Sequence, residues 1–305
     1  MRQSILIPAA GFVALATLAC SGCAPSEKLE PVVDQSQVDA IRAAITVASS
    51  TGPQPAAAAV QAGSGWATLA GRFVLEAGAK LRPRQPLLIS KDAAVCAPKG
   101  RETLDQVLLV DSESNGIANV AVFLRKASRV AESARARDEP VLFDQKGCRF
   151  LSHVTGMVVG QALEIRNSDP LGHNTNIATR GGGFNQTVAA DQSLLYQPGK
   201  EESLPVSVTC NVHPWMKAYL LPRANAYFAV TTSAGDFQIR DLPAGEELEF
   251  QVWHEFSAKP GQVLVIDTDA ARALKWSKKG RFKIRLEPDE TRKIDLEVPA
   301  SAFHD

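Results

Sequence analysis

The sequence predicts an all-β protein built of two sandwiches, and three observations predict it. Short apolar runs rich in Val, Ile, Leu and Phe recur at close spacing from residue 66 onward, punctuated by Gly, Pro and Asn. That is the pattern of strands bounded by turns. Helical periodicity is scarce; residues 125–137 carry charges at helical spacing but read as a solvated loop or short helix. A chain of 305 residues is too long for one small sandwich and suits two with a tail.

Composition excludes several classes. Hydrophobic residues make up 45%, enough for real cores, and Lys+Arg and Asp+Glu both number 33, a net charge of zero. There is no overall basic excess for nucleic acid and no acidic excess of a solvating tail. No Gly-rich phosphate loop, Ser-His-Asp order or carboxylate pair in a defined context occurs, so no enzyme is predicted.

The N-terminal end reads as a targeting segment. Arg2 gives a positive start, residues 5–19 are apolar and uncharged, and small residues follow. This is a secretory signal, too short for a stable membrane span. Its end, Ala19-Cys20-Ser21-Gly22-Cys23, places a cysteine after a small residue twice, which resembles a bacterial lipobox. Residues 1–23 are therefore expected to be a lipoprotein signal, with the lipid on Cys20 or Cys23 and Cys20 preferred. The plainer alternative is cleavage without a lipid. The expected location is outside the cytosol, tied to the cell envelope on its periplasmic side or at the cell surface. Residues 24–65, interrupted by Pro25, Pro31, Pro53 and Pro55, read as a flexible tether, with a possible short helix over 38–48.

Strands are expected from Trp66 onward. Residues 66–75 open them. Residues 106–110 and 118–124 flank Ser114-Asn115-Gly116, a strong hairpin signal. Further candidates are 141–143, 153–159, 162–166, 186–189, 204–209 and 218–221. A second block begins at Arg223, with strands at 227–232, 237–239 and 248–253, and residues 281–286 and 293–298 as a closing hairpin. The run TTSAGDFQIRDLPAGEELEFQVWHE resembles the small transthyretin-like sandwich of carboxypeptidase regulatory domains and polysaccharide-lyase companion domains. The expected domains are thus 66–222 and 223–305.

One constellation carries chemistry. Residues 210–216 read Cys-Asn-Val-His-Pro-Trp-Met, and His173-Asn174 follows a candidate strand ending in Asn167-Ser168-Asp169-Pro170. Two imidazoles and a thiolate with a weak thioether are the donors of a blue-copper site. A cysteine at a strand end points its sulfur into the mouth of a sandwich, a histidine three residues on can turn to the same point, and Pro214 stiffens the turn. The bland alternative is a buried thiol with packing side chains.

Cys-x-x-His-Pro-aromatic-Met preceded by His-Asn resembles the cupredoxins, and the short loop is most similar to that of amicyanin. More loosely, the chain resembles proteins labelled methylamine-utilisation proteins, in which a cupredoxin core runs into a transthyretin-like tail. The resemblance covers roughly residues 140–222. It implies a Greek-key sandwich and one type 1 copper ion, with His173, Cys210 and His213 as equatorial ligands, Met216 axial, and Asn174 tying the two ligand loops together. With Cys210 a ligand, Cys96 and Cys148 are left as a disulfide pair, stable outside the cytosol. The implied activity is one-electron transfer with a periplasmic or membrane redox protein. The rivals are a carbohydrate-binding or adhesion lipoprotein of two sandwiches, and a copper storage or delivery protein.

Other residues take bland readings. Cys148 with His153 lacks partners for a metal site. Trp253-His254-Glu255 has no accompanying nucleophile and reads as a strand end, His304 as a solvated tail residue. Lys275, Lys278, Lys279, Arg281, Lys283 and Arg285 read as a solvated hairpin, and Gly181-Gly182-Gly183 as a flexible turn.

Overall fold

The computed structural model describes residues 65–98 and 103–304. Residues 1–64, on which the expected signal segment with Cys20 and Cys23 and nearly all of the expected tether fall, lie outside the described residues. The fold is all-β. In chain order the strands are β1 (Trp66–Leu75), β2 (Ala121–Leu124), β3 (Val141–Gln145), β4 (Val154–Val158), β5 (Leu163–Asn167), β6 (His173–Ile177), β7 (Phe184–Val188), β8 (Ser193–Tyr196), β9 (Val206–Thr209), β10 (Lys217–Arg223), β11 (Phe228–Val230), β12 (Asp236–Pro243), β13 (Glu247–Trp253), β14 (Arg281–Arg285) and β15 (Thr291–Val298).

They form four sheets, ordered β12-β1-β15, β11-β2-β13-β14, β4-β10-β9-β6-β7 and β3-β5-β8. The first two share one core, which holds Leu69, Phe73, Val122, Phe250, Phe282 and Leu296. The other two share a second core, with Phe143, Phe150, Met157, Ile165, Val208 and Leu220. Alternation explains each assignment. In β15, Ile294, Leu296 and Val298 are buried while the residues between them are exposed, as expected of a sheet with one wet face. All four residues of β2 are buried: Val122 and Leu124 enter the first core, whereas Ala121 and Phe123 join Val154, Tyr219, Leu221 and Trp253 in a third cluster that cements the two sandwiches together.

The strand pairing corrects the expected domain boundaries. β1 belongs with the C-terminal block, antiparallel to β12 and parallel to β15, and β2 lies between β11 and β13. The site-bearing sandwich is therefore an insertion between β2 and β11, not the whole of residues 66–222. Periodicity marks a run as a strand but does not say which sheet it joins. Gly71 makes the distant pairing possible: a Cβ there would lie 1.9 Å from the Ile294 carbonyl oxygen, so only glycine lets β1 and β15 approach so closely.

Two smaller expectations also change. The closing hairpin is absent: β14 pairs with β13, while β15 crosses to β1 in the other sheet. The Asn-Gly turn is present, with Asn115 at φ 55° and Asp111 N–H donating to the Gly116 carbonyl at 2.9 Å. Its first arm contributes only a bridge, Val110 to Ile117. Two strands not foreseen, β6 and β8, complete the inserted sandwich.

Candidate metal centre

The inserted sandwich brings His173, Cys210 and His213 to one end. β6 runs antiparallel to both β7 and β9. His173 opens β6, and Cys210 follows the last residue of β9; the antiparallel register, Asn176–Thr209 and Ile177–Val208, brings the start of β6 and the end of β9 to the same end of the sheet. The turn before His173 is fixed by Asn167, whose Nδ2 donates to the carbonyls of Leu171, Val188 and Ala189 and whose Oδ1 accepts from the Asp169 N–H. The 210–216 loop closes on itself: His213 N–H donates to Cys210 Sγ at 3.4 Å, Met216 N–H to the His213 carbonyl at 2.9 Å, and Cys210 N–H to the Met216 carbonyl at 3.3 Å. Asn174 Oδ1 accepts from the Asn211 N–H at 3.2 Å, joining β6 to this loop.

His173 Nδ1 lies 2.9 Å from His213 Nδ1, which lies 3.8 Å from Cys210 Sγ. The donor atoms of the three residues are all within 4.8 Å of one another, and both imidazoles are fully buried. Met216 is buried in the same core cluster as Cys210, and Cys210 is the free cysteine among the described residues. The other nitrogen of each ring faces a carboxylate, Asp169 Oδ2 at 2.7 Å for His173 and Asp92 Oδ2 at 2.9 Å for His213. An ionised carboxylate only accepts, so each ring is the Nε2–H tautomer and turns its Nδ1 lone pair inward. Two lone pairs facing at 2.9 Å repel unless a cation or proton lies between them. Metal–nitrogen and metal–sulfur bonds run about 2.0–2.3 Å; both separations fall within twice that, so one ion can reach all three atoms. The residues fit a soft first-row metal.

Burial opposes the charge on Asp169, but hydrogen bonds from the Cys148 and Gly147 N–H groups and from His173 outweigh it and hold the carboxyl below its ordinary pKa. Burial pushes the His173 imidazole down, against the opposing pull of Asp169. The pair is therefore a carboxylate and a neutral imidazole at neutral pH, as a metal ligand requires.

Cys96 and Cys148 are joined in a disulfide, with Cα atoms 5.0 Å apart. The bond adjoins the centre, since the sulfurs of Cys96 and Cys148 and a His213 nitrogen lie within 4.8 Å of one another. Sequence reasoning missed Asp92 and Asp169. Asp169 carried a signal, four residues ahead of a candidate ligand histidine; Asp92 carried none.

The remaining candidates settle elsewhere. His153 is buried and pairs with Glu255, which also meets Lys217 Nζ at 3.4 Å, so Glu255 serves His153 and not its neighbour in sequence. His254 is enclosed, and burial lowers its pKa to about 4. His304 is exposed, and Lys283 pairs with Glu247 on the surface.

No family model matches the chain, and no curated protein does. Among solved structures it is similar to a copper-containing nitrite reductase from Thermus scotoductus SA-01, at 20% identity and a TM-score of 0.26, over 31% of this chain and 25% of that one. The match thus spans about a quarter of the reductase. It is also similar to amicyanin from Paracoccus versutus, at 15% identity and a TM-score of 0.26, over 33% of this chain and 97% of that one.

Proposed function

We propose that this chain is an exported copper protein that passes single electrons through a type 1 site held by His173, Cys210, His213 and Met216. One observation carries the reading: two buried imidazoles, each with its far nitrogen committed to a carboxylate, converge with a free thiol on one point. Two imidazoles with a thiolate and a thioether select copper among the biological metals. Bound there, copper supplies a one-electron couple and a strong thiolate-to-metal absorption. The protein's own part is to hold donors still and dry. The ligand loop is locked by its own backbone hydrogen bonds, Asn174 ties it to β6, and burial excludes water. The partner in this reading is a periplasmic or membrane redox protein, met by a chain anchored through Cys20 or Cys23.

Copper titration followed by visible absorption tests the reading. The wild type should develop an intense blue or green band at one equivalent, and Cys210→Ser should lose it while keeping its far-UV circular dichroism. A colourless copper complex of the wild type, or a band that survives in Cys210→Ser, refutes the site. Reversible one-electron voltammetry distinguishes a carrier from a storage or delivery protein.

A further inference from the structure

The outer edge of His213 is covered by a segment from a distant part of the chain. After β1 the chain folds into an excursion whose base is tied by a bridge between Pro86 and Leu104 and by N–H groups of Leu87 and Asp105 donating to the carbonyls of Thr103 and Gln85. Its tip packs on the inserted core through Ile89, Val95 and Cys96, and the Cys96–Cys148 bond pins it there. Asp92 stands at the start of the short helix Ala93–Cys96. An aspartate in that position ordinarily accepts a hydrogen bond from the first turn of its own helix. Asp92 makes no such bond. Its left-handed backbone, φ 50°, is one that aspartate adopts more readily than most residues, but the missing cap bond has no local explanation. The carboxylate instead reaches Nε2 of His213 at 2.9 Å, and His213 has no exposed surface.

We propose that Asp92 is a positioning residue for the metal centre and that its segment is a disulfide-pinned cover. The carboxylate holds His213 in the Nε2–H tautomer, so that Nδ1 faces Cys210 and His173, and the segment seals the ligand's outer edge from solvent. The proposal rests on the copper reading above. Asp169 gives His173 the same support from within its own turn, four residues away, whereas the support for His213 can be removed without touching the ligand sandwich. A carboxylate on the far nitrogen of a ligand imidazole fixes the ring and raises its basicity, so losing Asp92 should loosen the metal.

The test has a metal-free and a metal-bound arm. Long-range proton–nitrogen NMR of the metal-free protein reads whether His213 Nε2 carries a proton, which the wild type should hold fully and Asp92→Ala only in part. Asp92→Asn retains an acceptor oxygen and should restore the wild-type tautomer. In the copper(I)-loaded protein, release to bathocuproine disulfonate should be about ten-fold faster or more in Asp92→Ala and in Cys96→Ala/Cys148→Ala, because a charged hydrogen-bond partner is lost or freed. Asp92→Asn should lie between these and the wild type. Unchanged tautomer and unchanged release in Asp92→Ala overturn the proposal; a shifted tautomer with wild-type release overturns the cover. Wild-type protein without a thiolate-to-copper band defeats the copper reading itself, and the tautomer arm then decides the role of Asp92 alone.

Discussion

A fragment cut at residue 223, where strand order along the chain suggests a domain boundary, should not fold. β12 and β15 have β1 as their sheet partner, and β15 meets it over eight register pairs from Thr68–Thr291 to Leu75–Val298. Removing β1 and β2 dissolves that sheet and strips one neighbour from each of β11 and β13. It also removes Leu69, Phe73, Leu75, Ile117, Val120, Val122 and Leu124 from the core. At about 1.5–3 kcal/mol for each buried side chain, the loss is roughly 10–20 kcal/mol. The whole stability of a domain is about 5–15 kcal/mol, so the fragment falls below the threshold. Far-UV circular dichroism and urea titration of residues 223–305, compared with the full chain, decide the matter. A strand spectrum with one cooperative urea transition in the fragment alone would show that the outer core does not depend on β1 and β2, and the insertion argument would fail.

Two further outcomes follow from the structure. The Cys96–Cys148 bond spans 52 positions; loop-closure entropy for that length gives about 4 kcal/mol, so Cys96→Ala/Cys148→Ala should shift the urea midpoint accordingly, and a loss under about 1 kcal/mol would contradict a chain-entropy role. His254 has a folded pKa of about 4 against an ordinary 6.5. Below pH 6.5 the unfolded chain takes up this proton first, so stability is full above 6.5 and is lost as pH falls toward 4, by about 3 kcal/mol in all. Urea midpoints at pH 7 and 4.5 should fall further in the wild type than in His254→Asn, and equal slopes would show that His254 is not the titrating group.

Much of the candidate site was legible in the sequence because its side chains are placed locally. Cys210, His213 and Met216 share one loop, and that spacing by itself suggested a common target. His173 was legible as a candidate through its neighbour Asn174 and the turn-forming Asn167-Ser168-Asp169-Pro170, although the strand it opens was not. The carboxylates were less visible. Asp92 and His213 are 121 positions apart, and nothing in the residues around Asp92 marks it as anything but a helix cap.

The sequence by itself determined that the chain is all-β, where most of its strands run, and which loop carries thiol, imidazole and thioether. Alternation and turn chemistry act over a few residues, and they survive being read in one dimension. The tertiary structure alone decided that β1 closes the C-terminal sandwich, that the sandwich bearing His173 and Cys210 is inserted within it, and that Asp92 arrives over His213. Those are choices among distant partners, made by buried area and backbone fit. Gly71 against the Ile294 carbonyl and Phe123 against the Tyr219–Trp253 cluster are where the choice was made, and neither contact has a counterpart along the chain.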